Sequence, residues 1–87
     1  MAKAYLQPSL FFDDARVGTL TVYIAGGTTL ATLYNPTSGA PISNPVGIDA
    51  DGYAALFMAD TGMAFDLVAK DYLGATKATI PNVVAGV

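Results

Sequence analysis

Cysteine, histidine, tryptophan and glutamate are all absent from this 87-residue chain, and only 13% of its residues are charged. Without cysteine, neither a disulfide nor a thiolate metal site can staple the fold. Without histidine or cysteine, no side chain is ready to move protons near neutral pH. Ser9, Ser38 and Ser43 have no histidine to activate them and no lysine at Ser-x-x-Lys spacing. The sequence therefore reads as non-enzymatic, with no catalytic residue and no cofactor. All seven acidic residues are aspartates, which favour turns and caps over helix interiors. The four basic residues, Lys3, Arg16, Lys70 and Lys77, are scattered, so no basic stripe supports nucleic-acid binding. No apolar run approaches the roughly 18 residues of a membrane span. The first residues, broken by Gln7 and Pro8 and ended by Asp13 and Asp14, do not form a signal peptide. No membrane partner is expected, and synthesis is expected in a cytoplasm.

What remains is apolar. Hydrophobic residues make up 53% of the chain, whereas solvated domains carry roughly a quarter charged residues. One domain of this size can bury only a modest core. The excess points to an apolar surface covered by another chain; a compact domain rich in small Ala and Gly side chains is the simpler alternative.

The clearest pattern is Thr19–Ile24, where Leu20, Val22 and Ile24 alternate with Thr19, Thr21 and Tyr23. Period two in strand-favouring residues predicts a half-buried strand. Gly26 and Gly27 suit the tight turn that follows, and Thr29–Tyr34 would return as the second arm of a hairpin. Between Asn35 and Pro45, three prolines exclude a helix and a central strand, leaving an extended loop that crosses between sheets or follows an edge. Asp49, Asp51 and Gly52 mark a turn. Tyr53–Met58 then reads as a strand apolar on both faces, hence central or covered by a neighbour. After a turn at Asp60–Gly62, Phe65, Leu67 and Ala69 face inward along the next strand. Asp71–Gly74 turns again, and Ala75–Ile80 is a last short strand stopped by Pro81. The opening segment, Ala4–Phe12, alternates too, and Pro8 makes it an edge strand open to pairing with another chain. Together these predict an all-β fold: a small antiparallel β-sandwich, Ig-like or prealbumin-like, of about six to seven short strands. Residues 1–16 would be an N-terminal edge strand or docking segment, 17–81 the sandwich, and 82–87 a tail or the start of a continuation.

Asp49-x-Asp51-Gly52 resembles the start of a calcium loop, but nothing downstream completes a shell of 6–8 oxygens, so a β-turn is the better reading and no metal site is assigned. Gly26-Gly27-Thr28-Thr29 lacks the lysine and the following helix of a phosphate loop. The candidate interface residues are Leu6, Leu10, Phe11, Phe12, Tyr53, Phe57 and Met58, from the two segments most open to another chain.

The order of motifs carries a further signal. Leu10-Phe11-Phe12-Asp13-Asp14 precedes Thr21–Tyr34, which contains Ala25-Gly26-Gly27-Thr28-Thr29 and Ala31-Thr32-Leu33-Tyr34. Asn44-Pro45-Val46-Gly47-Ile48-Asp49-Ala50-Asp51-Gly52-Tyr53 follows, then Phe65–Val68 and Lys70-Asp71-Tyr72-Leu73-Gly74. This succession, over roughly residues 8 to 75, resembles a module found near the N-termini of tail-fibre and tailspike proteins of tailed bacteriophages. The resemblance implies a structural virion protein made in the cytoplasm of a bacterial host. It implies a β-sandwich, commonly trimeric, that ties a fibre or spike to other virion proteins of the tail, portal or collar, or capsid. The chain departs from the pattern in its short Asp14–Thr19 turn, in the extra Gly27, and in ending at Val87 where the family continues into a fibre. A capsid decoration or head-fibre protein is the alternative within the virion. A carbohydrate-binding module for receptor recognition, with Tyr34 or Tyr53 as stacking surface, is the alternative outside the structural class.

Overall fold

The computed structural model describes residues 3–5, 11–54 and 56–85. Among them are eight strands: β1 (Lys3–Tyr5), β2 (Thr19–Ile24), β3 (Leu33–Tyr34), β4 (Pro41–Ile42), β5 (Val46–Gly47), β6 (Met58–Asp60), β7 (Ala64–Lys70) and β8 (Thr76–Val84). A 3-10 turn at Asp13–Ala15 precedes β2. The strands form two antiparallel sheets, ordered β1-β6-β3-β4 and β5-β2-β7-β8, closed face to face as a small β-sandwich. The count exceeds the six to seven anticipated because β4 and β5 are two-residue pairings, too short to leave a periodic signal.

The second sheet is built on β2 and β7, which pair over six residues from Thr19↔Lys70 to Ile24↔Phe65. Along β7 alternation does what the sequence predicts: Phe65, Leu67 and Ala69 are buried, while Asp66, Val68 and Lys70 lie half-buried on the outer side. Along β2 Leu20 and Val22 are buried as expected, but Thr21 is buried as well and Ile24 is only half-buried. Leu33 and Ala59 from the opposite sheet join them in the core, with Phe12, Ala15, Ala31, Val46, Ile48, Phe57, Val83 and Ala85.

Elsewhere the segments differ from expectation. The return arm after β2 begins as a hairpin, with Ile24 N–H on the Thr29 carbonyl at 2.8 Å and Ala31 N–H on the Val22 carbonyl at 3.0 Å. It then leaves, and Leu33–Tyr34 pairs with β4 and β6 in the other sheet. The chain crosses back through Ser43, Asn44 and a cis Asn44–Pro45 peptide to β5, which pairs with the first residues of β2. Asn44 fills the gap where one neighbour of β2 departs and the next arrives. Its Nδ2 donates to the carbonyls of Val22 (2.7 Å) and Ala31 (2.9 Å), and its Oδ1 accepts the Val22 N–H (3.1 Å).

Tyr53–Met58 is not one strand buried on both faces. Tyr53 and Ala54 make isolated bridges, Tyr53 and Leu56 are exposed, and regular pairing begins at Met58. The segment pairs with the N-terminus: Tyr5 lies opposite Met58 and Phe11 opposite Tyr53. The two stretches expected to meet another chain therefore meet each other at both ends. Residues 6–10, with Leu6 and Leu10, lie outside the described residues. Phe12 and Phe57, expected at an interface, are core residues at 7% and 2% exposure.

Pro81 does not stop the last strand. β8 is an edge strand, where a missing N–H is tolerated, and it continues to Val84 through an irregularity. Phe65 pairs with Val83 and Leu67 with Ile80, so Pro81 and Asn82 both face Asp66. Asn82 takes a left-handed φ of 55°, and its N–H donates to Asp66 Oδ1 at 3.1 Å. A second shift, between Ala69↔Ala78 and Lys70↔Thr76, leaves Lys77 as an extra residue. Bulges, a proline and a lysine are the devices that stop an edge from recruiting another strand, so β8 is protected against pairing with another chain.

Val17 also has a left-handed φ, 61°, a strained conformation for a β-branched residue. Its side chain is 62% exposed, so little burial offsets the strain. Val17→Asn, which tolerates this region, is expected to stabilise the fold by about 1 kcal/mol. Thermal unfolding would then shift up by roughly 4–8 °C; an unchanged or lower midpoint counts against strain at this residue.

Candidate functional site

Two loops with the same sequence pattern share one hydrogen-bond scheme. In Asp49–Tyr53, Asp49 Oδ1 accepts the N–H groups of Asp51 and Tyr53, both at 2.9 Å. The Asp49 carbonyl takes the Gly52 N–H, and the Asp49 N–H donates to the Tyr53 carbonyl. In Asp71–Ala75, Asp71 Oδ1 accepts from Leu73 (2.9 Å) and Ala75 (3.0 Å), and the same two backbone bonds close the loop. An aspartate that binds its own backbone two and four residues on is a turn former. Gly52 adopts φ +95°, and a Cβ there would come within 3.0 Å of the Phe11 ring and 3.1 Å of the Phe12 carbonyl oxygen. The motif glycine is thus required both by its dihedral and by the close approach of the N-terminal segment.

Asp71 is held below the ordinary carboxylate range chiefly by the Ala75 N–H, aided by the Leu73 N–H and the Lys77 ammonium and opposed by partial burial. A depressed folded-state pKa stabilises the fold above the unfolded value of 3.8, and that stabilisation is lost as the pH falls through the lower folded-state value. Asp71→Asn keeps the acceptor and removes the titration, so its stability should fall less steeply than wild type below about pH 4. Urea unfolding across that range checks it; parallel curves would sink the assignment.

These loops meet. The Val17 N–H donates to the Asp49 carbonyl (3.1 Å), the Ile48 N–H to the Gly18 carbonyl (2.9 Å), and the Phe12 N–H to the Gly52 carbonyl (2.6 Å). Gly18 in turn lies against the backbone of Lys70 and Asp71. Parts of three motif segments far apart in sequence, residues 11–14, 47–52 and 70–74, therefore converge on one end of the sandwich around Val17–Gly18. Gly26 and Gly27 turn the β2 hairpin elsewhere; the Gly26 N–H is held by Asp66 Oδ2 at 3.3 Å.

The convergent end is apolar as well as polar. Of the eight large hydrophobic side chains exposed among the described residues, Phe11, Val17, Tyr53, Tyr72 and Leu73 belong to these loops. The Phe11 and Tyr53 rings pack with centroids 4.9 Å apart, tilted by 52°. Tyr53 also borders a shallow groove of about 380 Å³ with Gly47, Ile48, Asp49 and Ala54. Arg16 binds Asp13 through both Nε and Nη2, and Asp71 lies 3.7 Å from Lys77.

A second apolar feature lies on the outer face of the other sheet. Pairing sets Tyr5, Met58, Tyr34 and Pro41 in one row across its four strands. Tyr34 is not a free stacking surface, because Lys3 Nζ sits 4.3 Å above its ring and its hydroxyl donates to Asp60 Oδ2 at 3.4 Å. Partial burial, then the charge and hydrogen bond of Asp60, raise the Tyr34 pKa.

Among the described residues no group of three metal-ligating side chains is brought together, and Asp49 Oδ1 is committed to its own loop. Sequence reasoning picked Phe11, Tyr53, Asp49, Asp51, Gly52, Asp71 and Gly74 but did not place them at one end. It missed Val17 and Gly18, whose roles depend on contacts distant in sequence. No protein-family model matches the chain, and no curated protein or solved structure matches it.

Proposed function

We propose that this chain is a structural, non-enzymatic virion protein, a tail-fibre or tail-attachment module that docks on other proteins of a tailed bacteriophage particle. The observation that carries the reading is the convergence of parts of three resemblance motifs on one end, where Phe11, Tyr53, Tyr72 and Leu73 are exposed beside Val17. Exposed apolar clusters of this kind mark interaction sites. Self-association, as a trimer, uses the Tyr5–Met58–Tyr34–Pro41 row, since β8 is protected against strand addition.

Quantitative mass spectrometry of purified particles from the phage that encodes the chain tests the reading. A few to a few dozen copies per particle fit a tail location. Hundreds of copies indicate a capsid decoration protein, and absence from the particle overturns a virion role. Light scattering of the purified chain should show an oligomer.

A further inference from the structure

Charge is unevenly placed around the exposed aromatic pair. Residues 11–18 and 47–53, joined by the backbone bonds described above, carry Asp13, Asp14, Asp49 and Asp51 against Arg16 alone. Four aspartates against one arginine leave −3 there, equal to the net charge of the whole chain. Arg16 is already engaged by Asp13. The adjoining third loop adds Asp71, which is paired with Lys77, and Lys70 at the end of β7. The acidity is thus concentrated on the side that holds Phe11 and Tyr53.

Within this rim the surface is aromatic and open. Phe11 and Tyr53 are 46% and 53% exposed, and Val17 is 62% exposed at a strained φ. The groove beside Tyr53 is walled by Gly47 and Ala54, and a Cβ added at Gly47 would meet nothing within 4 Å. Aromatic faces and carboxylates recognise one chemistry in common, the guanidinium or ammonium group. It is drawn to the ring quadrupole and to the carboxylate by charge-assisted hydrogen bonds. Aliphatic stems of the same side chains cover apolar surface.

We propose that the Phe11–Tyr53 patch, with its Asp14, Asp49 and Asp51 rim, docks an arginine- or lysine-bearing apolar segment of a different protein. The proposal rests on the docking reading above and adds the chemistry of the partner. A second copy presenting the same patch sets −3 against −3, a repulsion that electrostatic complementarity selects against. The same field excludes anionic partners such as nucleic acid at this end.

Nuclear magnetic resonance titration of the intact chain with the peptide Arg-Leu-Arg-Leu-Arg, and with Glu-Leu-Glu-Leu-Glu as control, is the test. The basic peptide should give saturable shifts centred on residues 11–18 and 47–54, and the acidic one none. Affinity should fall at least about tenfold between roughly 20 and 300 mM salt. Tyr53→Ala should abolish the shifts. The paired change Asp14→Asn with Asp51→Asn should weaken binding about tenfold; it spares the turn because neither carboxylate closes a loop. Equal binding of both peptides, shifts centred elsewhere, or no saturation by about 10 mM peptide overturns the proposal. Shifts that depend on protein concentration alone mean that a second copy covers the patch, and also overturn it. Failure here leaves particle incorporation, read by mass spectrometry, unaffected.

Discussion

Gly18→Ala is expected to destabilise the domain by about 3 kcal/mol or more, because the added methyl has nowhere to go. A Cβ at Gly18 would lie 1.8 Å from the Lys70 carbonyl oxygen and 2.8 Å from both the Lys70 carbonyl carbon and Asp71 Cα. All three are backbone atoms, so no side chain can rotate aside. Gly18 cannot retreat either: its N–H is bonded to the Ala15 carbonyl and its carbonyl to the Ile48 N–H. Relief requires separating the entry to β2 from the end of β7, the best-paired part of the sheet. A domain of this length has a total stability of only some 4–13 kcal/mol, so the loss is a large share of it. Thermal unfolding should shift down by at least about 12 °C. A folded variant within roughly 5 °C of wild type would show that the close approach does not exist.

That residue also marks where sequence reading stops. β2 and β7 were legible because both alternate over six or more residues, and burying Leu20, Val22, Phe65 and Leu67 on one face leaves no competing register. Tyr53–Met58 misled because every residue is apolar, so period two cannot be seen. Its neighbour is the N-terminal segment, and of its described residues Phe57 is buried in the core while Ala54 only packs against it and Tyr53 and Leu56 are exposed. Thr29–Tyr34 carries a strand-like composition, but Asn44 and β5 occupy the side of β2 on which it would have continued. Pro81 looked like a terminator because its place on an edge is decided by sheet order, a tertiary property. Gly18 is one of nine glycines, and nothing local separates it from those that merely turn the chain.

The candidate site was legible in its parts and hidden in its assembly. Asp49, Gly52, Asp71 and Gly74 announce turns through chemistry that acts within five residues. That the two turns flank the same strand entry, and bring Tyr53 against Phe11, depends on contacts spanning much of the chain. The acidic bias of that end follows from the same contacts, since Asp13–Asp14 and Asp49–Asp51 are ordinary loop aspartates until the backbone joins them. Val17→Asn would link stability to the proposed docking: it should stabilise the fold while removing an apolar contact from the proposed patch, the trade expected where strain is held at a binding surface.

Asn44 is the second position where one change should have a large effect, through hydrogen bonding rather than sterics. Asn44→Ala leaves the Val22 N–H without its acceptor and removes a donor from the carbonyls of Val22 and Ala31. Val22 is fully buried, and an unsatisfied buried N–H costs about 1–3 kcal/mol beyond the net loss of the bonds themselves. A destabilisation of roughly 2–4 kcal/mol is expected, the same at all pH values. Asn44→Asp separates hydrogen bonding from shape. It keeps the acceptor for Val22 but points an ionised oxygen at two carbonyl oxygens that the amide held at 2.7 and 2.9 Å. The folded state then disfavours the charged form, so the folded-state pKa of this aspartate lies above its unfolded value. Its cost relative to wild type should be smallest below about pH 4, where the protonated acid still donates one bond, and should grow as the pH rises. Urea midpoints for wild type and both variants between about pH 3.5 and 7 decide the matter. A pH-independent Asn44→Asp penalty, or an Asn44→Ala penalty below about 1 kcal/mol, would mean that the seam between β5 and the departing hairpin arm is held by packing and not by the amide.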